Sequence, residues 1–173
     1  MKAKKITMGL VVALAIVAGV VWVSQKDGSP SVDGDKLSAD EIRYEYSDPK
    51  FSFPYSKEAK ATIAEDGPNG TAIISVRNNL ATGSEFQIAI TLEEDSSPLT
   101  IERINNDLPD LQTIGARNIS VAGTQAVAFT VIEGGQGTAE VWFVREGWLY
   151  QITAYNNEAS RAMAEKAVAG WKF

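Results

Sequence analysis

Two of the side chains that most often do chemistry are missing from this sequence: its 173 residues include no histidine and no cysteine. Acyl transfer needs a nucleophile activated by an adjacent base, so only Ser–Lys or Thr pairs are left to supply it. Ser56 and Lys57 are chain neighbours, and on a strand neighbours point to opposite faces, which argues against a working pair. Without thiols there is also no disulfide framework, no thiolate metal cage and no lipid-modified cysteine. No residue receives a catalytic or cofactor-binding assignment, and the expectation is a protein that is not an enzyme.

Carboxylates offer a second chemistry. Glu93, Glu94 and Asp95 form a run beside Ser96 and Ser97. They are the candidate ligands for a divalent cation, which prefers hard oxygen donors, and paired carboxylates can also run glycoside hydrolysis. The competing reading is a solvated turn whose charge favours the start of a following helix. Asp33, Asp35 and Asp40 resemble part of a calcium loop, but Leu37 falls on a ligand position and Ser38 where glycine is required. Asn69-Gly70-Thr71 and Asn118-Ile119-Ser120 match the glycosylation triplet, which matters only on a eukaryotic secretory route.

Aromatic rings are the third resource. Trp142, Phe143, Trp148, Tyr150 and Tyr155 lie in two alternating segments, so some rings face a core and others point away from it. Rings left uncovered would form a binding patch. The candidate partner-binding residues are therefore Trp142, Trp148, Tyr150 and Tyr155. Coverage by a helix or by the N-terminal strand is the alternative.

These residues need elements to position them, and the first element is an anchor. Ile6 to Val23 is uncharged, and Lys2, Lys4 and Lys5 precede it. As a helix it spans about 27 Å, near the thickness of a hydrocarbon core. The lysines keep that flank cytoplasmic, and Trp22 suits the far interface. A cleaved secretory signal has a shorter apolar run and small residues at its exit, whereas this exit reads Val21-Trp22-Val23-Ser24. Residues 1–23 are expected to be a cytoplasmic stub and transmembrane anchor, 24–40 a flexible linker rich in Ser, Gly and Asp, and 41–173 one extracytoplasmic domain in a single-pass membrane protein.

Charge bears on partners. The chain holds 16 basic and 22 acidic residues. Removing the three leading lysines leaves 13 and 22, a net of −9 on everything after the anchor. Nucleic acid is a poor match for that balance, and anionic lipid headgroups would repel it. The expected partners are the membrane, through the N-terminal helix, and a protein or envelope component of unknown identity.

Beyond the linker the pattern is mostly strands. Phe51-Ser52-Phe53 alternates until Pro54, which should end the run. Ala59–Ala64 and Thr71–Val76 flank Gly67-Pro68-Asn69-Gly70 and predict a hairpin. Glu85–Leu92 alternates throughout. Ser97 as cap and Pro98 in the first turn predict a helix running to Leu108, stopped by Pro109. Val127–Val131, Ala139–Arg145 and Trp148–Tyr155, joined by Gly-rich or Glu146-Gly147 turns, predict an antiparallel meander. Asn157 should cap a final helix whose stripe of Ala159, Ala162, Met163, Ala167, Val168 and Trp171 lies on the sheet.

This order of elements resembles the PsbP/Mog1-like α/β family. The residues that carry the likeness are Phe51-Ser52-Phe53-Pro54-Tyr55, Val121-Ala122-Gly123-Thr124-Gln125-Ala126, Trp148-Leu149-Tyr150-Gln151-Ile152 and the closing Trp171-Lys172-Phe173. At the domain entrance the sequence departs from the family, because Pro54 precedes Tyr55 and no tryptophan follows. The resemblance implies an α+β fold, an antiparallel β-sheet flanked by helices, here preceded by one N-terminal transmembrane helix. It also implies a non-catalytic accessory or binding role. An extracytoplasmic binder of a small ligand or divalent cation through the acidic loops is the alternative function.

Overall fold

The computed structural model of the protein describes residues 37–64, 71–78, 83–133, 136–155 and 157–173. The expected anchor and all but the last residues of the expected linker lie outside the described residues. Among the described residues no helix is long and apolar enough to cross a membrane.

Alternation of buried and more exposed residues builds most of the large sheet, most regularly in Ala72–Asn78 and Glu85–Leu92. Strands β3 (Ala59–Ala64), β4 (Ala72–Asn78), β5 (Glu85–Leu92), β6 (Thr113–Val121), β7 (Thr124–Glu133), β8 (Gln136–Arg145) and β9 (Trp148–Tyr155) form one antiparallel sheet. Their order is β3-β4-β5-β9-β8-β7-β6. The expected hairpin and meander are both present. Glu146 and Gly147, at φ 52° and 79°, make the tight turn between β8 and β9. Ala122 and Gly123, at φ 46° and 81°, repeat that turn between β6 and β7, as two left-handed residues in a two-residue hairpin require.

Strands β1 (Glu41–Ser47) and β2 (Lys50–Ser56) form a separate two-stranded ribbon, joined by a turn that contains a cis Asp48–Pro49 bond. Pro54 does not end β2. It sits inside the strand opposite Arg43, on the outer edge of a two-stranded ribbon that the C-terminal segment pairs at Ser52, where a residue without an N–H interrupts no ladder.

Period-two alternation gives the large sheet two faces, and each has its own cover. On the first face Phe86, Ile88, Ile90, Tyr150, Ile152 and Phe143 are buried beneath the ribbon and helix α2 (Glu158–Ala169). Asn157 caps α2 as expected, its Oδ1 accepting from the Ser160 N–H at 2.8 Å. The buried Ser160 hydroxyl in turn accepts from the Glu85 N–H at 2.9 Å, which fastens the helix to β5. Beyond α2 the chain runs back across the core. Trp171 stacks on Phe51 with centroids 4.8 Å apart and planes 5° from parallel. Ser52 and Lys172 exchange backbone hydrogen bonds of 2.8 and 2.9 Å. Glu41 pairs with Lys166 at 2.6 Å, and the Ser38 hydroxyl donates to the same carboxylate at 2.7 Å.

On the second face the connection from β5 to β6 packs over β7, β8 and β9, and buries Val127, Phe129, Trp142, Val144 and Leu149 beneath Leu99 and Ile104. Its helix α1 (Ile101–Asp107) starts later than expected: Thr100 is the cap, with its Oγ1 accepting from the Arg103 N–H at 3.1 Å. Ser97 and Pro98 precede the helix instead of opening it. The remaining part of this face, across β3, β4 and β5, presents Lys60, Thr62, Ser75, Arg77, Gln87 and Thr91, none of them buried.

Candidate functional site

The sheet separates the four ring residues proposed as a partner surface. Trp142 and Tyr150 are 4 % and 2 % exposed, so both belong to the core. Trp142 points to the second face and packs edge-on to Phe129 at 5.0 Å. Tyr150 points to the first face, stacked on Phe143 at 4.8 Å and edge-on to Phe51 at 5.6 Å. Burial in these rings pushes its hydroxyl up to about 12. Both rings are removed from any surface patch for one reason: the sheet is covered on both faces at these positions. Trp148 and Tyr155 are half-buried. They sit at opposite ends of β9 and on opposite faces, about 23 Å apart at the usual rise of a strand, so they cannot serve one site.

The acidic run is already engaged. The Arg103 guanidinium reaches Glu93 Oε1 at 3.0 Å, Asp95 Oδ2 at 3.6 Å and Asp107 Oδ2 at 3.5 Å. It also donates to the Ser97 carbonyl at 2.9 Å. Its side chain is 15 % exposed and that of Glu93 is 11 % exposed, so this pair is largely buried and ties α1 to the end of β5, while Asp95 and Asp107 flank it at the surface. Asp95 is held below the usual carboxylate range, chiefly by hydrogen bonds from Ser97 and also by Arg103. Glu94 is exposed. Among the described residues no group of three or more acids, histidines or cysteines is placed to hold a metal. Ser56 and Lys57 lie at the end of β2, where the Lys57 ammonium donates to the Ala39 carbonyl at 2.6 Å and not to the serine.

Around Trp148 the geometry is different. A cavity of about 300 Å³ opens between the β1–β2 turn and the end of the large sheet, lined by Tyr46, Ser47, Asp48, Pro49, Ala72, Ile90 and Trp148. Ile90 and Ala72 form an apolar floor. Leu92, directly across the ladder from Trp148, is 64 % exposed. This end of the molecule therefore offers a ring-walled cleft beside an uncovered leucine. Trp148 was visible in the sequence as a candidate. Tyr46 and Asp48 were not, because only the packing of the ribbon against the sheet brings them to it.

Sequence reasoning also passed over Glu140, which is buried on the second face between Thr138 and Trp142. Its carboxyl accepts from Thr138 Oγ1 at 2.6 Å, Thr153 Oγ1 at 2.8 Å and the Trp142 indole N–H at 2.9 Å. All three donors are neutral. Desolvation outweighs them and pushes the carboxyl up to about 7. The one acid inside Ala139–Arg145 was the available signal.

No family model matches the chain, and no curated protein matches it. Among solved structures the chain is similar to the solution structure of cyanobacterial PsbP (CyanoP) from Synechocystis sp. PCC 6803, at 12 % identity and a TM-score of 0.56. The similarity covers 84 % of this chain and 99 % of that one. The fold is PsbP-like. The expected α+β class, a mostly antiparallel sheet with two helices, is what the described residues form. In this PsbP-like fold the segments that carried the resemblance are structural: Phe51 and Phe53 stack on Trp171, Val121–Ala126 contains the β6–β7 turn, and Trp148–Ile152 begins β9.

Proposed function

We propose that this protein is a non-enzymatic interaction module, held on the outer side of a membrane by its N-terminal helix, that docks a protein or envelope component at the Trp148 end of its sheet. One observation carries the docking site: half-buried Trp148 and exposed Leu92 face each other across the β5–β9 ladder, beside a cleft with an apolar floor. An exposed leucine beside a half-buried tryptophan that lines a cavity matches the apolar, ring-rich centre of protein interfaces. The PsbP-like fold supports an extrinsic, accessory role.

Support for the tether comes from the uncharged Ile6–Val23 run and the lysines before it. Strand β1 sets the direction. The tether joins it at Glu41, while the cleft lies beyond Ser47, about 20 Å along the strand. The docking end thus points away from the point of attachment. A cation-binding role draws no support from the acidic run, because Arg103 engages Glu93 and Asp95.

The test is site-specific photocrosslinking from position 148 in the full chain in its native membrane, with position 165 on the far helix as control. A discrete adduct formed from 148 and not from 165 is expected. A blank at 148 removes the reading.

A further inference from the structure

The make-up of the cleft specifies its occupant, and we propose that it takes a lysine or arginine side chain from a basic segment of the partner protein. This rests on the interaction-module reading and adds the chemistry of what is bound. The floor, Ile90 and Ala72, is apolar and suits the methylene stem of a long basic side chain. The lining includes Tyr46 and Trp148, aromatic residues of the kind that attract a cation. At the mouth stands Asp48, exposed and without an ion-pair partner among the described residues.

The surroundings carry the same sign. Glu45 is exposed on β1, and Glu94 is exposed next to Glu93, whose N–H donates to the Gly147 carbonyl at 2.8 Å. Three cations share this end among the described residues, and Arg103 is taken up by Glu93 and Asp95. Lys50 lies across the turn from Ser47. Arg145 is engaged by Glu146 at 3.2 Å and sits 4.0 Å over the Phe173 ring. The local balance is acidic, as is that of the whole chain beyond the anchor, and this complementarity favours a basic partner in both encounter and register. A volume of about 300 Å³ is at the small end of ligand pockets, which suits one long side chain more than a whole small molecule. Exposed Leu92 then offers an apolar contact to a neighbouring residue of the same segment.

The test uses the full chain in phosphatidylcholine nanodiscs, titrated calorimetrically with a capped octapeptide of alternating lysine and alanine, and separately with its glutamate–alanine counterpart. The lysine peptide is expected to bind and the glutamate peptide not. Asp48→Asn should weaken the lysine peptide about fivefold, the scale of one exposed ion pair, while Glu165→Gln on the exposed side of α2 leaves it unchanged. Equal weakening by both substitutions, equal binding of both peptides, or no heat with the lysine peptide at millimolar concentration overturns the proposal. Crosslinking separates this from the broader reading. A partner captured at position 148 through a segment lacking Lys and Arg keeps the interaction module and removes the basic occupant, whereas no captured partner removes both.

Discussion

Glu140→Gln keeps the size and shape of a buried side chain while removing its charge, and so isolates the cost of placing a carboxyl among neutral donors. In the folded protein this group is pushed up to about 7 from an ordinary value of 4.5. The unfolded chain therefore releases its proton first. The stability contribution is fully present below about 4.5 and is lost as pH rises through 7, after which it is flat. At about 1.4 kcal/mol per pH unit the span sets an upper bound of about 3.5 kcal/mol. The window is clean, because the chain has no histidine and few other side chains titrate between pH 5 and 8. Urea unfolding at pH 5, 6, 7 and 8, followed by tryptophan fluorescence, should show the wild type losing about 2–3 kcal/mol across this range and Glu140→Gln losing little. The Trp142 indole, bonded to this carboxyl at 2.9 Å, should report the same midpoint directly. A wild-type profile that is flat from pH 5 to 8, or a variant that follows the wild type, refutes the reasoning.

Three further outcomes are expected. Gly170→Ala should destabilise the domain by about 1–3 kcal/mol in urea, because a methyl there meets the rigid Pro54 ring, with Cδ at 2.7 Å and Cγ closer still. Glu41 is held at about 2 by Lys166 first and Ser38 second. Its contribution, about 1–2 kcal/mol after allowing for the half-exposed lysine, should be present above pH 4.5, fade towards pH 2, and be absent in Glu41→Gln when unfolding is followed from pH 5 to 2. Arg103→Met should cost about 3 kcal/mol by leaving Glu93 in a largely buried site without its cation, and Arg103→Lys should recover only part of this, since an ammonium cannot reproduce the guanidinium fork; chemical denaturation of both variants measures it.

The parts of the fold that were legible in the sequence are those where a buried face takes every second side chain. Glu85–Leu92 and Trp148–Tyr155 alternate because the first face needs every second side chain, and Asn157 announces its helix through a side chain that must accept an N–H. Strand β6 went unread because it is an edge strand: Gly115 at φ 66° accompanies its register shift, and Arg117 and Asn118 beside it are exposed, so no period survives. Pro54 misled for the opposite reason, since a proline breaks a sheet interior and not the outer edge of a ribbon. Ser97 reads as the cap in the sequence, but Thr100 takes that role, and Leu99 before the helix and Ile104 within it both reach the second face. Alternation also shows which face a ring takes without showing whether that face is covered, which is why Trp142 and Tyr150 read as surface candidates. The cleft was beyond reach from sequence because Asp48 and Trp148 meet only when two separate sheets pack together.

The return of the chain over its own beginning has a consequence for how the domain is made. Arg43 donates to the Gly170 carbonyl across 127 positions of sequence, and the ring that stacks on both Phe51 and Phe53 is that of Trp171, two residues before Phe173. A nascent chain can build its hairpins as they appear, but the hydrophobic layer under the ribbon stays open to solvent until the final stretch has been added.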